Sequence, residues 1–261
     1  MERIPTTNLF SLNGKTAIVT GATQPLAAEM SLTMAEAGAN IIALISPWDP
    51  DDADLKSSIH AVGREIRIWK ADVGDTPSLR ACFKEIWKAV VTPDILLNFS
   101  TINRRGPVEE MMDEDIDVIF AVNLKGAYIA AQEFGLRLIA LNRPGKIINF
   151  ASMTAHLPMT NVSAYAAAKA GVVQMTRALS NEWAPRDIQV NCISPGYTKT
   201  SMTSSLLAED PGMESYITSR TPAGRWGVPE DYRGVILFLS SQASDFVTGT
   251  TVVVDGGMMV R

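Results

Sequence analysis

What most constrains this chain is a rhythm in which short apolar runs alternate with longer amphipathic segments almost from end to end. The runs at 16–20, 40–45, 65–71, 95–99, 146–151, 189–193 and 251–254 lack the polar alternation of half-exposed strands, so each reads as a strand covered on both faces. The gaps at 26–37, 54–61, 76–90, 113–141 (with room for a bend), 164–184 and 229–240 read as helices. This is the pattern of βαβ units. Right-handed crossovers then give an α/β fold, a Rossmann-like doubly wound sheet of about seven parallel strands with helices on both faces.

Composition narrows the class. A chain of 261 residues, 46% of them hydrophobic, can bury a full core, and we expect a single domain. A net charge of −5 offers no field for nucleic acid or an anionic membrane, so a small-molecule partner is expected. The opening residues lack the basic start and apolar core of a secretory leader, and no run nears the ~18 apolar residues of a membrane span, which points to the cytoplasm. Cys82 and Cys192 have neither metal nor disulfide spacing and read as core residues, and with His60 and His156 the only histidines, a His-rich metal site is excluded. Residues 198–227 carry scattered Met, Ser, Pro and charge without a long periodic run, and form a candidate substrate lid.

Two stretches carry chemistry. "TGATQPLA", residues 20–27, follows the first strand and opens a helix, the place of a dinucleotide-binding turn, with Gly21, Gln24, Pro25 and Leu26 facing the cofactor. In "SAYAAAKAG", Tyr165 and Lys169 lie four apart on a helical segment and share a face, so the ammonium can approach the phenol and lower its pKa into a useful range. Ser152 ends a strand at its carboxyl edge, where such sheets place their ligands, and its hydroxyl can hold a substrate oxygen.

With those residues in view the chain resembles the short-chain dehydrogenases/reductases, through "TG", "ADV", "LLN", "VNLKG", "GKIINFAS", "VNCISPG" and "VDGG" spread over nearly its whole length. The resemblance implies Asn123, Ser152, Tyr165 and Lys169 as the catalytic set: Tyr165 as proton donor or acceptor, Lys169 on the nicotinamide ribose and Asn123 holding a water. It also implies Asp72 and Val73 by the adenine and Asn98 fixing the central strands. The Pro195-Gly196 turn with Thr198 and Thr200 would meet the carboxamide. Members are usually dimers or tetramers, which implies a homo-oligomer packed through 113–141 and 164–184. A narrower likeness, in "INRRGP", "PGY" and the stretch 220–257, is to the sugar-acid branch, the 2-deoxygluconate and 2-dehydro-3-deoxygluconate dehydrogenases. It makes Arg104 or Arg105 a partner for a substrate carboxylate, although the pair reads equally as a solvated loop. Tyr197, His156 and Met202 complete the substrate set, beside apolar neighbours that sit uneasily with a small sugar acid.

The family pattern breaks on the cofactor side. The second and third glycines of T-G-x-x-x-G-x-G are Pro25 and Ala27, and the "NNAG" station reads Asn98-Phe99-Ser100-Thr101, with Ser100 still expected at the cofactor. Proline removes an N–H and adds bulk, yet it also suits the first turn of a helix. Where an NAD enzyme carries an acid the chain has Ile45, then Ser46, which favours NADP(H) over NAD(H), while Asp49, Asp51 and Asp52 read as a solvated helix start. The expectation is therefore an NAD(P)-dependent oxidoreductase interconverting a ketone and a secondary alcohol. The alternatives are a non-redox isomerase, dehydratase or cyclase using Tyr165 and Lys169, and a catalytically silent binding protein.

Overall fold

Seven strands, β1 (Thr16–Thr20), β2 (Asn40–Ile45), β3 (Ile66–Lys70), β4 (Ile95–Asn98), β5 (Gly145–Phe150), β6 (Ile188–Pro195) and β7 (Thr251–Val254), form one sheet in the order β3-β2-β1-β4-β5-β6-β7. Every neighbouring pair is parallel. The computed structural model describes residues 4–49, 52–89, 93–200, 203 and 212–261. Met202, Asp51 and Val90 lie outside the described residues, as does much of the expected lid.

Alternate residues of the inner strands feed two cores. Ala17, Val19, Ile41, Ala43 and Leu97 point to one face, against helices α1 (Pro25–Glu36) and α2 (Ala53–Ala61). Ile18, Ile42, Leu44, Leu96 and Ile147 point to the other, against α3 (Thr76–Ala89), α5 (Ala127–Leu141) and α6 (Ser163–Trp183). Burial on both faces is why these strands lack polar alternation. The expected bend in 113–141 is a π-helical turn at Ala121–Gly126 between α4 (Asp113–Phe120) and α5. Gly126 is required there, because a Cβ would come within 2.5 Å of the Val73 side chain.

The segment read as irregular contains a helix, α7 (Gly212–Arg220), fixed by one fully buried residue, Ile217. The expected helix at 229–240 begins instead as a 3-10 turn, Pro229–Tyr232, before α8 (Arg233–Ser240), with Asp231 accepting the Val228 N–H. The expected strand at 189–193 runs on through Ser194 and Pro195, which pair with Val253 and Val254. Among the described residues no helix is long and apolar enough to cross a membrane.

Candidate active site

The sheet order reverses between β1 and β4, which stay paired to Thr20 and Asn98, so the chains leaving their carboxyl ends run to opposite sides and leave a crevice above the sheet. Thr20 stitches its floor, its hydroxyl accepting the N–H groups of Phe99 at 3.0 Å and Ser100 at 3.1 Å. Gly21 then turns with φ +65°, and a Cβ would sit 3.0 Å from the Ser100 Cα, so both conformation and space demand glycine. Gln24 is the N-cap of α1 and Pro25 its first residue. The first helical bond runs from the Ala28 N–H to the Gln24 carbonyl, and among the described residues no side chain caps the helix end. Proline thus removes an amide that the helix does not use, while the amides of Leu26 and Ala27 remain in the uncapped first turn, the geometry that receives a phosphate. The Ala27 side chain is fully buried in the core, turned away from the crevice.

The chain after β2 departs from the expected solvated helix start. Asp49 is not part of a solvated helix start, since α2 begins at Ala53. Its carboxylate folds back to accept the Thr23 hydroxyl and the Ser46 N–H, which sets an acid beside the dinucleotide turn. Asp72 accepts the Gly74 N–H at 2.8 Å, and Val73 packs on Gly126, so this pair is seated against the π turn.

That turn carries Asn123, whose amide is fully engaged: it donates to the carbonyls of Ile102 (2.8 Å) and Ile119 (2.9 Å) and accepts the Thr101 hydroxyl (2.8 Å) and Ile102 N–H (3.2 Å). The side chain therefore pins the loop after β4. Asn98 donates to the Ala127 carbonyl and to Asn149, tying β4 to β5 and α5. Ser152 follows β5, and its oxygen accepts the Thr154 N–H and hydroxyl, so its own proton remains to be given to a ligand. Across from it Tyr165 faces the hydroxyls of Ser152 and Thr101.

Lys169, one turn on, is buried and donates to the Phe150 carbonyl at 2.8 Å, with its ammonium 5.7 Å from the Tyr165 ring centre. Burial lowers its pKa to about 8, with Cys192 alongside. The Tyr165 pKa is not lowered as expected. Burial strips water from the phenolate and raises it, against the pull of Thr101 and then Ser152.

These groups open onto a cavity of about 380 Å³ lined by Gln24, Pro25 and Leu26 at one end, Thr101, Ser152 and Tyr165 in the middle, and Pro195, Gly196, Thr198 and Thr200 opposite. Gly196 is needed where the chain passes Asp255, since a Cβ would fall 2.7 Å from its Cα. Phe99, Phe150, Met153, Met159, Val162 and Tyr197 make much of the wall apolar. Arg105 lines the cavity, and its charge acts on the Tyr197 phenol, which burial otherwise pushes up. Arg104 does not line it, being paired with Asp115 at 3.4 Å. His156 does not either, because its ring is bonded to the Ser194 hydroxyl at 3.1 Å. The segment from Thr198 is closed at its base: Lys199 donates to the Gly227 carbonyl and Gly227 to that of Tyr197.

The polar lining residues Thr101, Asn103, Thr154 and Thr203 are not singled out for binding by the sequence, since they stand in stretches without a periodic or motif signal for it. The side-chain oxygen of Asn103 is buried and has no hydrogen-bond partner among the described residues, which makes it an acceptor for a ligand hydroxyl.

Known proteins resemble this chain over nearly its whole length. A family model described as enoyl-(acyl carrier protein) reductase matches residues 21–259. The 2-dehydro-3-deoxy-D-gluconate 5-dehydrogenase of Pseudoalteromonas atlantica is 38% identical over 97% of this chain and 98% of its own length. The 5-keto-D-gluconate 5-reductase of Escherichia coli K12 is 35% identical over 97% and 98%. Among solved structures, a gluconate 5-dehydrogenase from Burkholderia cenocepacia J2315 in complex with NADP and tartrate superposes with a TM-score of 0.91 at 33% identity, covering 98% of this chain and all of that one.

Proposed function

The chain belongs to the short-chain dehydrogenase/reductase family of oxidoreductases, and from that premise we propose that it interconverts the ketone and secondary alcohol of a small sugar acid with NADP(H). The observation that carries this reading is one continuous cavity, with an uncapped helix N-terminus at one end and Tyr165 facing Ser152 in its middle. The residues fit the cofactor. The first-turn amides of α1 would hold the pyrophosphate, Ser46 and Asp72 the adenosine half, and Thr198 and Thr200 the carboxamide. When bound, it supplies or accepts the hydride. Ser152 donates its free proton to the substrate oxygen and orients it, and Tyr165 gives or takes the proton at that oxygen. Lys169, an ammonium at neutral pH, supports the ribose and balances charge under the ring.

Arg105 is the carboxylate partner, because it is at the cavity while Arg104 is paired elsewhere. Asn103 accepts a substrate hydroxyl, and residues 198–227, pinned at their base, act as the lid of a single-domain enzyme. The protein acts in the cytoplasm as a homo-oligomer. Two buried, unpaired cysteines suit a reducing compartment, and α5 leaves Tyr128 and Leu136 exposed for a second copy. The test is loss of NADPH absorbance on adding 5-keto-D-gluconate. Substrate-dependent loss supports the reading, and no turnover with any keto sugar acid overturns the substrate class.

One observation favours a second cofactor. Asp49 sits beside the dinucleotide turn, where a carboxylate would accept a ribose 2′-hydroxyl and repel a 2′-phosphate, as NAD(H) requires. Parallel titrations with NADPH and NADH decide: an Asp49→Asn protein gains NADPH affinity only if the carboxylate faces the 2′ position.

A further inference from the structure

We propose that Thr101 is a positioning residue for the acid–base step, its hydroxyl swinging from Asn123 to the Tyr165 oxygen when that oxygen becomes a phenolate. The inference rests on the reading of Tyr165 as the proton donor and adds a partner that the family pattern, with glycine at this station, does not supply.

The hydroxyl is held where two acceptors compete for one proton. It donates to the Asn123 amide oxygen at 2.8 Å while lining the cavity beside Tyr165. The orientation of Asn123 is fixed by its neighbours: the amide nitrogen faces two carbonyls, and the oxygen faces the Ile102 N–H. The main chain at Thr101 is held too, its carbonyl accepting the Gln24 side chain at 3.2 Å. Only the hydroxyl rotor is left free to choose.

With Tyr165 neutral, the phenol can donate to the Thr101 oxygen while Thr101 donates to Asn123. With Tyr165 ionised, the Thr101 proton turns to the phenolate, and Asn123 still accepts the Ile102 N–H. The exchange gives up one neutral bond and forms a charge-assisted one, roughly twice as strong. No proton passes through Thr101, since both hydrogens of the Asn123 amide are spent on carbonyls and its oxygen has none to give.

Ser152 also faces the phenol and pulls in the same direction, less strongly, and with substrate bound its proton is committed to the substrate oxygen; the Lys169 ammonium is turned to the Phe150 carbonyl. The downward pull that Thr101 exerts on the Tyr165 pKa, larger than that of Ser152, has the sign this arrangement requires.

The experiment is a rapid pH-jump ultraviolet titration of phenolate absorption without substrate, the Tyr165→Phe protein serving as blank. Thr101→Val removes the hydroxyl and keeps the shape, and it leaves the Gln24 contact alone because that contact uses the main chain. The Tyr165 inflection is expected to rise by about one pH unit in Thr101→Val and to return in Thr101→Ser. Thr101→Ala removes the same hydroxyl if valine does not fold. An unchanged inflection in the folded variant, or failure of serine to restore it, overturns the proposal. Turnover retained by Tyr165→Phe would instead sink the assignment of Tyr165, whatever the titration shows.

Discussion

On the proposed dinucleotide side of the cleft Pro25, Ala27, Ser100 and Thr101 all depart from the family pattern, whereas on the proposed catalytic side Asn123, Ser152, Tyr165 and Lys169 all match it. Yet the two sides are held with equal care. The departures at Pro25 and Ala27 are absorbed because they fall on backbone-built structure: Pro25 occupies a helix position whose N–H is dispensable, Ala27 points into the core, and Gly21 keeps the left-handed turn and the close approach to Ser100. The second side works with side-chain atoms: Ser152, Tyr165 and Lys169 each face a named partner and Asn123 pins the loop after β4, so a change of residue there removes the contact itself. A motif read letter by letter gives both sides equal weight, and the physics does not.

The largest effect should follow from the catalytic side. Tyr165→Phe deletes the proton that the proposed mechanism needs, and kcat should fall roughly 100- to 10,000-fold while cofactor binding holds. Gly21→Ala should harm the backbone side where Pro25→Gly does not. It forces a Cβ against Ser100 at positive φ, and chemical denaturation should register a loss on the order of 2 kcal/mol. The two arginines offer a sharper contrast. Arg105→Ala should raise KM for a sugar acid by about tenfold, and Arg104→Ala should change it less than about twofold, because only Arg105 lines the cavity whereas Arg104 is exposed and paired with Asp115.

Lys169 gives a test in pH. Its folded pKa of about 8 lies below the usual lysine value, so between those two values the unfolded chain binds more protons and stability from this group rises with pH. Below about 8 both states are protonated and the cost of burying the charge is fully present. A Lys169→Met protein lacks that cost, and its stability relative to the parent should narrow as pH climbs through this window, by an amount on the order of 3 kcal/mol. A constant difference across the window would mean that Lys169 is not buried as a charge.

Most of the fold was legible because it is written in burial. β1, β2 and β7 stand at the residues read from the apolar runs, and the parallel sheet with helices on both faces follows from handed crossovers, while the strand order itself comes from the structure. α7 was missed because a helix fixed by one deep residue, Ile217, leaves no periodic stripe. The candidate site was legible where spacing determines direction, as with Tyr165 and Lys169 on one helix. It was not legible in the loops: "INRRGP" does not say which arginine turns inward, "SPWD" does not show Asp49 folding back onto Thr23, and "NFST" gives no sign that Thr101 reaches Asn123. Those directions come from chain partners far away in sequence.

The central claim, that backbone geometry preserves the cofactor site in spite of Pro25 and Ala27, is tested most directly by calorimetric titration of NADPH into the unaltered protein and into the Pro25→Gly, Ala27→Gly double variant. Micromolar binding to both, within about threefold of each other, is expected if the first-turn amides hold the pyrophosphate. Binding that is absent from the unaltered protein and gained only with the glycines would contradict the account.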